Sequence, residues 1–172
     1  MTIAYLGLGS NLGDRKAYLR SALEGLGSLE GTSILAISGL YCSRPWGKID
    51  QPEFANIAAS IETALEPEEL LGECKRLERK AGRTAGERWG PRVLDIDILL
   101  YENIALESAI LTIPHPRMWQ RRFVLMPLAE LLPQLFDPSG RSIYEVLKSD
   151  EIAAQGVWPC GELESKGVDE DR

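Results

Sequence analysis

Two carboxylates separated by a single apolar residue, Asp95-Ile96-Asp97, stand inside the run Val93 to Tyr101. In a β-strand side chains alternate, so both carboxylates project from one face while Leu94, Ile96 and Ile98 point to the other. Their attachment points are about 6.6 Å apart, twice the rise per residue. At an effective dielectric near 20, unit charges at that distance repel by about 2.5 kcal/mol, a cost that persists unless a cation or an arginine sits between them. Such a pair can grip two Mg2+ ions, which favour a few carboxylates completed by phosphate and water oxygens. The plainer alternative is a charged edge strand that discourages aggregation. Edges more often use Lys, and the Asp face is expected to continue into apolar Leu99 and Tyr101.

Arg88-Trp89-Gly90-Pro91-Arg92 leads directly into this strand, and Arg83 and Arg88 lie on the glycine-rich loop before it. Arg92 and Asp95 are three apart, so a guanidinium and a metal could flank one phosphate chain, as phosphoryl-type transfer requires. Between Lys75 and Arg122 the local charge balance is +4, in a chain whose net charge is −7. A cationic island in an acidic protein suits a small polyanion better than a long nucleic acid. The single histidine, His115, sits between Pro114 and Pro116, followed by Arg117. It is the one residue on which a His-dependent nucleophilic mechanism could draw, and a multi-His metal site is excluded. Trp46, Phe54, Phe123 and Asn56 could form an aromatic slot with an amide reader for a flat heterocycle, although core burial explains Phe54 and Phe123 as well.

Those groups need a scaffold. With 172 residues, 44% apolar and 26% charged, the chain is long enough for one well-buried core. No apolar run approaches a membrane span, and Met1-Thr2-Ile3-Ala4-Tyr5 lacks the basic flank and long apolar stretch of a secretory signal, so a cytoplasmic protein is expected. Cys42, Cys74 and Cys160 are odd in number and far apart, which suggests neither a zinc ribbon nor a disulfide framework. Strands are expected over 2–8, 32–41, 54–63 and 93–101. A helix capped by Asp14 carries Leu19, Ala22, Leu23 and Leu26, and a second starts at Pro67 with Leu70, Cys74, Leu77 and Ala81 on one stripe. An extended piece at 110–113 follows, then a helical stretch over 117–132 broken at Pro127, and a short helix over 143–147. The order predicts an α+β fold, a ferredoxin-like βαββαβ sandwich with additional C-terminal helices. Residues 1–160 would form a single domain and 161–172 an acidic, frayed tail. Gly7-Leu8-Gly9-Ser10-Asn11-Leu12-Gly13 imitates a dinucleotide loop. The second strand lacks the required acid, so a tight turn ordered by Asn11 is expected instead.

Four stretches in order resemble the 6-hydroxymethyl-7,8-dihydropterin pyrophosphokinase family. They are Gly9-Ser10-Asn11-Leu12-Gly13, Gln51-Pro52-Glu53-Phe54-Ala55-Asn56, Glu87 to Arg92 with Asp95-Ile96-Asp97, and Pro114-His115-Pro116-Arg117. The resemblance runs from Ala4 to about Leu132. It implies transfer of the terminal diphosphate of ATP to the pterin hydroxymethyl group with release of AMP, acting on small molecules rather than on nucleic acid or membrane; a monomer is favoured, though the sequence itself does not fix the oligomeric state. Asp95 and Asp97 would hold two Mg2+ ions, and Arg83 and Arg92 would stabilise charge. The nucleotide would meet Glu78, Arg88, Trp89, Arg92, Ile98, Thr112, His115 and Arg121. The pterin would meet Ser43, Pro45, Trp46, Phe54, Asn56, Asp95 and Phe123. Phe54 stands where the family often has tyrosine, and Ser43-Arg44 where Thr-Pro is more familiar. A non-catalytic RNA-binding module of the same fold class is the alternative; it would need an aromatic RNA-reading strand and a basic sheet face.

Overall fold

The computed structural model describes residues 1–45, 50–82 and 92–163. Its main sheet contains β1 (Thr2–Ser10), β2 (Thr32–Ile37), β3 (Tyr41–Ser43), β4 (Phe54–Thr63) and β5 (Asp95–Tyr101). After a small β6 (Leu106–Glu107) and β7 (Thr112–Ile113) hairpin, β8 (Val157–Pro159) returns to it. The order is β5-β1-β4-β3-β8, with β2 also on β4, and every pairing is antiparallel.

The strand expected over 32–41 is two strands. Ser38 Oγ accepts from the Ala58 amide, and the Glu130 carboxylate accepts from the Gly39 amide. Side-chain acceptors therefore take amides of the turn and of β4, and the ladder breaks between β2 and β3.

One face of the sheet is covered by α1 (Arg15–Gly27) and α2 (Pro67–Lys80). Asp14 caps α1 by accepting from the Ala17 amide at 3.1 Å. The stripes foreseen on both helices, Leu19, Ala22, Leu23 and Leu26 with Leu70, Cys74 and Leu77, are buried against Leu6, Leu8, Ile57, Ile61, Ile96 and Ile98. The Cys74 thiol is pushed up to about 12, chiefly by burial. The other face lies under α3 (Arg122–Leu131), α4 (Ile143–Lys148) and α5 (Asp150–Ala153), with Ala58 and Leu99 facing Leu125, Leu128 and Ile143. The break expected at Pro127 falls instead at Arg121, which is extended between a 3-10 turn (Met118–Gln120) and α3. Pro127 stays inside α3 because it and its neighbours Val124, Leu125 and Leu128 are buried, which outweighs one missing amide bond.

Opposite β1, Leu6 pairs Ile98 and Tyr5 pairs Leu100, so Leu99 is an extra residue in β5. Leu99 keeps to the face of the aspartates, whereas Tyr101 turns to the helix α1–α2 side, against the expected alternation.

β8 was not foreseen, and with it comes a correction: Cys42 and Cys160 form a disulfide, their Cα atoms 5.9 Å apart. The two cysteines are 118 residues apart, and only the β3–β8 ladder brings them together. The chain beyond remains part of the fold: Leu163 is buried, and its carbonyl accepts two bonds from Arg20. The rest of the expected tail, 164–172, lies outside the described residues. Among the described residues, no helix is long and apolar enough to cross a membrane.

Candidate active site

Asp95 and Asp97 lie opposite Gly9 and Gly7 of β1, and those glycines lie opposite Asn56 and Ala58 of β4. The three strands thus carry one row of polar groups across a bare floor. With strands about 4.8 Å apart, the carboxylates stand roughly 9.6 Å from the strand that bears the Asn56 amide. A side chain at Gly9 would come within 3.2 Å of Asn56 Oδ1. The glycines that imitate a dinucleotide loop therefore serve as the floor of a cleft, with the tight turn beyond them at Gly13, φ +65°.

The cleft is a cavity of about 460 Å³. At one end Lys75, Arg92, Asp95, Asp97, His115, Pro116, Arg117 and Arg121 line it. Towards the other lie Ser43, Arg44, Phe54, Asn56 and Phe123.

Each aspartate has a guanidinium at the outer limit of ion pairing: Arg92 Nη1 is 3.8 Å from Asp95 Oδ1, and Arg121 Nη1 is 4.0 Å from Asp97 Oδ2. Both carboxylates keep about 30% of their side-chain exposure and line the cleft. Burial, and then the charge of Asp95, raise the Asp97 carboxyl to about 7, with Arg121 acting in the opposite direction. A carboxylate ionised against that penalty favours a cation beside it. Among the described residues no third His, Cys, Asp or Glu joins the pair. A hard ion that takes few protein carboxylates and completes its shell with phosphate and water oxygens fits this donor set.

Glu78 is buried, and its Oε1 accepts from the Ile96 amide at 2.9 Å, between the two aspartates on the open edge of β5. It does not line the cavity; it fixes the strand that presents the carboxylates. The Ile98 side chain is in the core, Thr112 lies in the β6–β7 hairpin, and Pro45 is half-buried, and none of the three lines the cavity. Trp46, Arg83, Arg88 and Trp89 fall outside the described residues, as does the loop over 83–91.

The His115 amide donates to the Leu99 carbonyl at 2.9 Å, and its Nδ1 accepts from the Arg117 amide at 3.1 Å. That bond selects the tautomer with hydrogen on Nε2. Burial, followed by the nearby Arg121 charge, lowers the ring to about 4. His115 is therefore a neutral donor at physiological pH. Nitrogen-15 NMR of the ion-free protein should follow one neutral Nε2–H imidazole from pH 8 to 5; a midpoint above 6 would contradict the geometry.

Arg121 is 9% exposed at its side chain and lies 5.7 Å from the Phe123 ring centroid, linking the charged end to the aromatic end. Asn56 Nδ2 donates to the Tyr41 carbonyl at 3.1 Å and to Ser43 Oγ at 2.9 Å, leaving Oδ1 as the acceptor above Gly9. Asn11 does more than order a turn. Its Nδ2 donates to Gln51 Oε1 and the Pro52 carbonyl, both at 3.0 Å, while its Oδ1 accepts from the Arg92 amide at 2.7 Å. Its own amide donates to the Arg92 carbonyl at 3.0 Å. One buried amide thus joins the segment before β4 to the arginine before β5. Lys75 was also missed, because beside the apolar stripe of α2 it reads as an ordinary solvated residue.

A family model described as 7,8-dihydro-6-hydroxymethylpterin-pyrophosphokinase matches residues 5–133. The 2-amino-4-hydroxy-6-hydroxymethyldihydropteridine pyrophosphokinase of Methylorubrum extorquens is 46% identical over 147 residues, covering 86% of this chain and 92% of the relative. The Bacillus subtilis protein of the same description is 46% identical over 133 residues, 77% of this chain and 80% of the relative. Among solved structures, the wild-type Plasmodium falciparum HPPK-DHPS with pteroate superposes with a TM-score of 0.67 at 15% identity, covering 89% of this chain and 45% of that one. The chain spans less than half the length of that solved chain, so this likeness speaks to the fold alone. The model match over three quarters of the residues, with relatives this similar, establishes that the chain belongs to the 7,8-dihydro-6-hydroxymethylpterin-pyrophosphokinase family.

Proposed function

We propose that the cleft is the site of diphosphate transfer, with the nucleotide at its charged end and the pterin at its aromatic end. The chain is a transferase of folate biosynthesis that moves a diphosphate from ATP to 6-hydroxymethyl-7,8-dihydropterin and releases AMP. The hydroxymethyl oxygen attacks the β-phosphorus, and the bond from that phosphorus to the α-bridging oxygen breaks. The electron pair leaves on AMP and the hydroxyl proton passes to solvent.

One observation carries this reading: two carboxylates and an amide reader share one sheet face across two glycines. Asp95 and Asp97 would hold two Mg2+ ions, which neutralise a triphosphate and acidify a coordinated hydroxyl when bound. Arg92 and Arg121 set cationic charge beside the same phosphates, where transfer depends mainly on alignment and neutralisation. His115 offers a neutral Nε2–H donor, and Asn11 holds the Arg92 backbone. Asn56 Oδ1 accepts from an N–H of the pterin, and Phe54 and Phe123 offer ring surface to it. Arg83, Arg88, Trp89 and Trp46 join this reading through the resemblance of the sequence alone.

Within the sheet, β5-β1-β4-β2 supports the ferredoxin-like arrangement, carried by one domain that extends past residue 160 to at least Leu163. The ATP requirement supports a cytoplasmic site; cysteine usage, with Cys42 and Cys160 joined, does not. The RNA-binding alternative gains no support from relatives described as pyrophosphokinases.

The protein supplied with ATP, Mg2+ and the hydroxymethyl-dihydropterin should yield AMP as the nucleotide product. ADP, or no turnover, would overturn the reading.

A further inference from the structure

The C-terminal segment lies beyond residues 5–133, the part matched by the family model, yet it packs against a residue that lines the cleft. Among the described residues β8 pairs only with β3, matching Ser43 with Val157 and Cys42 with Trp158, and the Cys42–Cys160 bond fastens it there. Just before β8, the Gly156 carbonyl accepts from the Arg44 amide at 2.9 Å. The Arg44 side chain then lies across Gly156 so closely that a Cβ there would stand 2.8 Å from Arg44 Cδ and 3.0 Å from both Cγ and Nε. Arg44 also lines the cleft beside Ser43 and Asn56, and no side-chain hydrogen bond or ion pair engages it among the described residues.

A planar guanidinium with five donors, resting on a bare glycine at the mouth of a slot for a flat heterocycle, is arranged to meet an acceptor. We propose that Arg44, seated on Gly156, is a further substrate-positioning residue that donates to a ring carbonyl of the bound heterocycle. This rests on the proposed assignment of the Asn56 end of the cleft to the pterin and adds a specificity determinant to it. The C-terminal strap is then part of the substrate site, because it supplies the seat that aims the guanidinium. Asn56 accepts from the heterocycle while Arg44 donates to it, so an analogue lacking the ring oxo group would lose the second contact alone.

Heterocycle affinity, measured by calorimetry with Mg2+ and a non-hydrolysable ATP analogue, tests this. Arg44→Ala and Arg44→Met should each weaken 6-hydroxymethyl-7,8-dihydropterin about tenfold while nucleotide affinity stays within twofold. Gly156→Ala, which pushes the guanidinium off its seat, should weaken it several-fold, and combined with Arg44→Ala it should add nothing further. Full affinity in Arg44→Met would mean that the stem only fills space, and the inference falls. Independent, multiplying losses from the two positions would also overturn it. If Gly156→Ala fails to fold, the Met and Ala variants still decide. Asn56→Ala separates this inference from the reading beneath it. Loss of heterocycle binding there with none in the Arg44 variants defeats the role of Arg44 alone. Full binding in Asn56→Ala removes the assignment of the slot, and the role of Arg44 with it.

Discussion

Asp97→Asn should lower turnover at least about 1000-fold and at the same time raise the melting temperature of the ion-free protein. The two effects have one cause. Within the fold the Asp97 carboxyl is raised from 3.8 to about 7 by burial and by the charge of Asp95. The folded state therefore holds that proton more tightly than the unfolded chain does. As pH climbs from about 4 to 7 the unfolded chain releases the proton first, so this group draws stability away, and above 7 its penalty is complete. Asparagine keeps the shape and removes the charge. Because Asp97 is 30% exposed to the cleft, solvent screening reduces the gain to about 1–2 kcal/mol, a melting point a few degrees higher. Calorimetry at pH 8 and pH 4 in chelator should find the gain at the higher pH and its loss at the lower. Turnover within tenfold of the wild type would end the metal assignment. An equal gain at both pH values would mean that the stabilisation is not electrostatic.

Much of this was legible in the chain because local rules applied to it. The period-2 pattern put Asp95 and Asp97 on one face, with Leu94, Ile96 and Ile98 buried on the other, and the i, i+3, i+4 stripes marked both helices of that core. What remained hidden was set by contacts distant in sequence. The glycines of β1 gain their meaning only when β4 and β5 flank them, since a glycine floor and a glycine turn are the same letters. Glu78 reads as one more acid on a charged helix until α2 is laid along β5 and the Ile96 amide needs an acceptor. Cys42 and Cys160 look unpaired because the strand that joins them, β8, is three residues long and carries too little pattern to detect. The Leu99 bulge is likewise a property of the β1 register, and it turned Tyr101 to the side opposite that expected.

Arg92→Ala should slow the chemical step by about 100-fold or more while leaving pterin affinity within a few-fold. The backbone of Arg92 is held on both sides by Asn11, which accepts from its amide and donates to its carbonyl, so removing the side chain leaves the segment in place. The ion pair with Asp95 is 3.8 Å long between partly exposed groups, worth about 1 kcal/mol or less, and stability should change little. What disappears is a positive charge facing the place where a phosphorus–oxygen bond breaks, and that is felt most in the transition state. Asn11→Ala gives the contrasting result. It keeps the charge and the main-chain bond to the Arg92 carbonyl but loses the side-chain hold on the Arg92 amide, along with the bonds to Gln51 and Pro52, so stability, pterin affinity and turnover should all fall together. Single-turnover quench with AMP detection, beside equilibrium binding of the pterin, distinguishes the two variants. Equal losses of rate and affinity in Arg92→Ala would make Arg92 a binding residue. A loss of rate alone in Asn11→Ala would mean that the amide governs only the arginine and not the segment before β4.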